Sequence, residues 1–273
     1  MKGRLQAVAV AGLAMGTLVF AWVGAAAAAL VMLRKGIAEG GYVVFWALLP
    51  AVAVAILGAD VGPLTMLLGG AVTALVLRDT RSWPMALLAA VASGYVVAGL
   101  LYGMAEDYLA SILALIQPML DQFEAQMQGS MPEIGGGDIA AVIGASTVLW
   151  SVLAVMLARW WQAMLYNPGG FRQEMWRLRL PPAMAVGLVI VMLLVANSGT
   201  PFRFWGVMCL LPFAMSGLAL VHGTVGQLAL SGGWLVIFYI ALLLLSPLWM
   251  ALVFAAIVDS WIDIRGRLPQ RGK

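Results

Sequence analysis

Residues 158–182 read ARWWQAMLYNPGGFRQEMWRLRLPP and stand between two long apolar runs. Arg159, Arg172, Arg177 and Arg179 face a single acid, Glu174, and are interleaved with Trp160, Trp161, Tyr166, Phe171 and Trp176. Basic residues beside a membrane span are retained on the cytoplasmic side, and indole and phenol rings favour the headgroup layer, where an apolar body and a polar tip are both satisfied. The stretch therefore reads as a cytosolic interface loop, and placing it inside orients every other span. Within it, Asn167-Pro168-Gly169-Gly170 makes a turn, and Phe171, Met175 and Leu178 share one helical face until Pro181 and Pro182 end it. Membrane or cytosolic protein partners are expected at this loop, through Arg159, Trp160, Trp161, Arg172, Trp176, Arg177 and Arg179.

Outward from the loop, the 273 residues are 63% hydrophobic and 10% charged, more apolar surface than a soluble core of this size could hide. The apolar runs are long and continuous rather than alternating, which excludes a membrane barrel. We expect an all-α protein, a polytopic transmembrane helical bundle of roughly eight to ten crossings. It is read as one domain over residues 1–273, embedded in the lipid bilayer. The net charge of +3 is explained by arginines flanking spans, so nucleic acid is not an expected partner. Cys209 is the single cysteine, which excludes an internal disulfide.

The first apolar stretch, residues 5–33, imitates a secretory signal with its basic start and Ala-rich end, but its apolar character persists to Leu33 and many spans follow. An uncleaved membrane element is expected. With one crossing here and one at the last apolar run, the charge rule gives eight basic residues inside and seven outside; a hairpin turning near Trp22 and Gly24 makes it ten against five. Each hairpin leg of about 14 residues would rise roughly 21 Å, against a hydrocarbon core of about 30 Å, so neighbouring helices would have to shelter it.

Spans are expected at 40–57, 62–77 and 83–104, the last carrying Ala90, Gly94, Ala98, Gly99 and Gly103 at spacings that let helix backbones approach closely. Residues 105–138 hold six acids and no Lys or Arg, and form the extracytoplasmic segment. Its Leu109, Ile112, Leu113, Ile116, Leu120, Phe123 and Met127 recur at helical spacing, giving an outer-face amphipathic helix kinked at Pro118 and followed by a mobile GSMPEIGGGD. That helix either lies on the membrane surface or covers a cavity. Further spans follow at 139–158, 182–197 and 203–230. The last run, 234–258, crosses once or folds back at Ser246-Pro247; folding back would raise the tally to fourteen against one.

Among polar residues, His222 is the only histidine and lies with Ser216, Thr224 and Gln227 in the 203–230 run. These four are the candidate ligand pocket, since buried polar groups in a bilayer are costly unless partnered. Asp60, beside Gly62-Pro63, is expected to cap a helix or form an interfacial turn. Asp259 and Asp263 are expected to pair with Arg265 and Arg267 at the membrane edge. No phosphate-binding Gly-rich loop, HExxH, GxSxG or second His or Cys occurs, so we expect no enzyme, no metal and no cofactor.

The run RWWQAMLYNPGGFRQEMWRLRLP at 159–181, GLALVHG at 217–223 and the ending DSWIDIRGRL at 259–268 together resemble the YybS-type family of bacterial inner-membrane proteins, which has no established activity. That family is in turn distantly similar to the substrate-binding subunits of energy-coupling-factor vitamin transporters and to MreD, a scaffold of the cell-shape machinery. The similarity lies in the short N-terminal helices, the Gly-Pro opening at 62 and the small pair Ala7 and Ala11, and it brings no ligand-contacting motif. Two functions follow as expectations. One is a small-solute-binding membrane transport subunit that needs separate energising partners, its pocket beneath the 105–128 helix and lined by 203–230. The alternative is a non-transporting scaffold or assembly factor of the cell envelope, holding partners through the basic loop and small-residue helix faces.

Overall fold

In the computed structural model, which describes residues 3–127 and 133–268, the first apolar stretch breaks into α1 (Arg4–Met15) and α2 (Ala21–Lys35). The break lies at residues 16–20, a few residues ahead of the expected turn at Trp22 and Gly24. Gly24 is instead an interior contact of the hairpin. A Cβ there would fall 2.8 Å from the Ala11 carbonyl oxygen, so its lack of a side chain sets how closely the two legs approach. Ala7, Ala11 and Ala25–Ala29 are buried in the same seam, and α3 (Ile37–Leu57) and α4 (Gly62–Thr80) close around it. The fold-back carries Arg4 to Glu39 at the start of α3, where the two pair. At the same end Arg78 donates to the Leu33 carbonyl at 2.8 Å, across a turn in which Gly36 takes φ +80°.

Packing without a hydrophobic driving force between helices relies on small residues that let backbones meet. This is visible where α5 (Trp83–Met104) crosses α7 (Gly136–Tyr166). A Cβ on Gly94 would lie 2.4 Å from Val148 Cγ2 and 2.7 Å from the Gly144 carbonyl oxygen. Ala90, Gly94 and Ala98 of the expected small-residue set are thus buried inside the protein, whereas Gly99 and Gly103 are exposed and meet no neighbouring helix among the described residues. At 31 residues, α7 exceeds the expected 139–158 span and carries the first half of the basic loop in helical form.

At the end of the bundle away from that loop, α6 (Glu106–Met127) continues through Pro118 and packs Leu109, Ile112 and Ile116 against the bundle. Leu115, Met119 and Phe123 remain exposed, as on a helix lying at an interface. Residues 129–132 of the GSMPEIGGGD segment, part of the stretch expected to be mobile, lie outside the described residues; Glu133–Gly135 lead into α7, and Gly136–Asp138 form its first turn. Here Arg203, just after a 3-10 turn at Thr200–Phe202, holds Asp138 with bonds of 2.8 and 3.1 Å, and the Trp205 indole donates to the Gly137 carbonyl at 3.0 Å.

The remaining helices are α8 (Gly170–Arg177), α9 (Pro182–Ala196), α10 (Val207–Gln227), α11 (Gly233–Leu244), α12 (Pro247–Ile262) and α13 (Ile264–Arg267). The last apolar run folds back: α11 and α12 are bent by 119° at Leu245-Ser246, and α12 returns along α10 with Leu252 against Gly217. Every regular element among the described residues is a helix. Four of them, α3, α5, α7 and the Thr200–Gln227 stretch, are long and apolar enough to cross a membrane, or six if the bent pairs α8–α9 and α11–α12 each count as one span. Such a chain is compatible with a multi-pass membrane protein.

The two glycine environments give a test. Gly94→Ala forces backbone apart and should cost about 1–3 kcal/mol. At Gly99 a Cβ meets nothing within 4 Å, so Gly99→Ala should leave thermal unfolding in detergent unchanged or slightly raised.

Candidate functional site

The single acid of the basic loop is its organising group. Glu174 pairs with Arg159 of α7, whose Nε lies 3.1 Å away, and accepts from the Trp83 indole at the start of α5 at 3.2 Å. Phe171 and Met175 turn inward with it, and Leu178 is buried, so the expected amphipathic face of α8 docks on the bundle. Trp161 is also packed inward, whereas Trp160, Arg172 and Arg177 face outward. Of the seven residues expected to meet partners, Arg159, Trp161, Trp176 and Arg179 are engaged within the chain.

The end of the chain meets the same loop. Arg265 donates to the carbonyls of Trp176 and Leu178 at 2.7 and 2.8 Å and to the Asp259 carboxylate at 2.9 Å. These carbonyls belong to the frayed end of α8, where helical partners run out. Asp259 is fully buried and also accepts from the Ile264 backbone N–H at 2.8 Å. Arg179 completes the knot, donating to the Asp259 and Ser260 carbonyls at 2.8 and 3.0 Å and lying 3.3 Å from Asp263. The expected Asp259–Arg265 pair is thus formed, but Asp263 pairs with Arg179 rather than Arg267. Asp263 sits at φ 53° after the last turn of α12, and this left-handed residue reverses the chain so that Arg265 points back beneath α8.

Between α7, α8, α10 and α11 lies a hollow of about 670 Å³. Its walls include Met156, Met164, Met215 and Leu218, and its polar groups are Arg172, His222 and Tyr239. His222 Nε2 and the Tyr239 hydroxyl are 2.7 Å apart, joining α10 to α11. The expected four-residue pocket is not assembled: Gln227 borders a separate hollow with Arg179 and Arg265, and neither hollow is lined by Ser216 or Thr224. Ser216 is buried on α10, and its Oγ and Gln227 Oε1 have no hydrogen-bond partner among the described residues.

Nor does α6 cover His222. The helical period that groups polar residues on α10 carries no information about which end of the bundle they reach, and Gly226 packed against the Trp176 ring puts this turn of α10 at the basic end. Beneath the first turns of α6 is a different hollow, about 290 Å³, bordered by Asp60, Tyr108 and Thr147. Asp60 there accepts from the Gly62 N–H at 2.8 Å, the expected capping turn. Burial raises the Tyr108 phenol above its ordinary pKa, and the charge of Asp60 adds to it.

No family model, curated protein or solved structure matches the chain. The residues that the sequence alone did not single out are Tyr239, Met156, Met164 and Met215. Their types are ordinary for apolar helices, and only the packing of α8 and α11 brings them around one space.

Arg265→Met leaves Asp259 buried and unpaired and should lower unfolding stability by about 3–5 kcal/mol. Adding Asp259→Leu should recover part of that loss, measured by thermal unfolding in the same detergent.

Proposed function

We propose that this protein is a component of a bacterial inner membrane, of the YybS-type family, that binds a small molecule in the hollow beside His222 and works with separate energising subunits. The observation that carries the reading is the hollow itself. Its volume of about 670 Å³ falls within the roughly 300–1,000 Å³ of small-molecule sites, and its polar groups converge on a mostly apolar wall. The chain carries no nucleotide-binding loop, so energy for any transport comes from partners. Arg177, which faces outward from the loop and does not line the hollow, is where such subunits dock.

The scaffold alternative asks for small-residue faces open to partners. Gly24 with Ala11, and Gly94 with Gly144, are used within the chain and leave only Gly99 and Gly103 of the expected α5 small-residue set open, so the hollow puts the binding reading first. In the topology we propose, the basic end lies in the cytosol. Ten membrane segments, of which α1, α2, α11 and α12 are short legs sheltered by their neighbours, then place fourteen basic residues inside and Arg203 outside.

Purification in mild detergent, with identification of co-eluting proteins, tests the reading. ATPase and coupling subunits should co-elute, and Arg177→Ala should reduce their recovery. Recovery of envelope-assembly proteins alone would transfer the assignment to the scaffold.

A further inference from the structure

The chemistry of the hollow beside His222 narrows what it accepts. Its apolar walls combine aromatic rings, among them Trp160 and Phe171, with methionines at Met156, Met164, Met175 and Met215 that adapt to an irregular or flexible occupant. Its cation is Arg172, exposed, with its guanidinium 5.0 Å from the centre of the Trp176 ring. Among the described residues Arg172 has no carboxylate partner, because Glu174, the acid nearest in sequence, is held by Arg159 and Trp83. A guanidinium held against an indole and free of any acid suits bidentate bonding to a phosphate.

The position of the hollow is equally informative. The 31 residues of α7 rise about 46 Å, against a hydrocarbon core of about 30 Å, so the turns after Arg159 extend into the headgroup layer. Trp160 and Met164 on those turns, and Tyr239 on α11, are all exposed where the hollow opens. The outer face of α11 is apolar and exposed at Trp234, Ile237 and Leu244, so the opening faces lipid at its deeper side and headgroups at the other.

We propose that the hollow takes an anionic phospholipid from the adjoining leaflet, its phosphate on Arg172 and one acyl chain between Met156, Met164 and Met215. The His222–Tyr239 contact closes the α11 side. This inference rests on the binding reading above for the hollow being a site at all.

The test uses the full chain in nanodiscs of phosphatidylcholine doped with a photoactivatable phosphatidylglycerol, with a matched phosphatidylcholine probe, and peptide mapping of the adducts. Adducts should fall on residues 156–164 and 215–219, with phosphatidylglycerol exceeding phosphatidylcholine by about fivefold, the ratio one basic side chain near an anionic surface confers. Arg172→Ala should abolish that preference, Arg172→Lys should retain most of it, and Met164→Trp, at an exposed wall position, should block labelling while the protein still elutes as a single species. Arg81→Gln, another exposed cation of the basic end, should change nothing. Equal labelling by the two lipids, adducts confined to the outer face of α11, or an Arg81→Gln effect equal to Arg172→Ala would overturn the proposal. A soluble arm separates the two levels of the argument. If glycerol 3-phosphate, and not lipid, protects a Met164→Cys thiol from a small maleimide, the lipid proposal fails and the binding reading stands; if neither protects it, both fail.

Discussion

The buried contact between Arg265 and Asp259 is the constraint on which the second half of the protein depends. Two charges removed from water are costly unless their remaining hydrogen-bonding capacity is filled, and here it is. Arg265 reaches two backbone carbonyls at the end of α8 as well as the carboxylate, and Asp259 takes a backbone N–H in addition. The arrangement satisfies orphan groups of a helix end and fixes the return of α12 at one stroke. Without it Arg179 alone among the described residues, through the Asp259 and Ser260 carbonyls and Asp263, would tie the end of α12 to the loop, and Asp259 would be left buried without a cationic partner.

The two halves of the chain solve the packing problem differently. In the first, alanines and glycines of α1, α2, α5 and α7 bring backbones into direct contact, and the hollow by Asp60 is a modest polar interruption. In the second, bulky side chains of α8 and a lightly packed α11 surround open space. Small residues make a close seam when both sides are helical backbone. Tryptophans, methionines and a proline-ended surface helix meeting at the basic end cannot interdigitate so closely, and the hollow beside His222 is what remains between them.

Much of this was legible in the residues. Apolar runs bounded by Gly, Pro and charge mark nearly every helix to within a few positions, and the loop at 158–182 declares its basic, aromatic character without help from tertiary structure. The clasp was half legible, since Asp259 and Arg265 lie close in sequence, but Arg179 enters from 80 residues away and no local pattern announces it. The candidate pocket was read from four polar residues on one run, and periodicity gave their shared helix without its neighbours. Placement of the hollow at the basic end depends on α8 folding against α10 through Trp176 and Gly226, a contact between two segments that each look self-sufficient.

Sided labelling of single cysteines, introduced at Asp121, Arg177 and Arg267 in a chain with Cys209 replaced, measures the central claim most directly. With a membrane-impermeant maleimide on sealed inverted vesicles, the positions at 177 and 267 should react and the one at 121 should stay protected until detergent is added. Labelling of 177 and 267 from opposite faces would contradict the return of α12 to the basic loop, and with it the clasp that joins them.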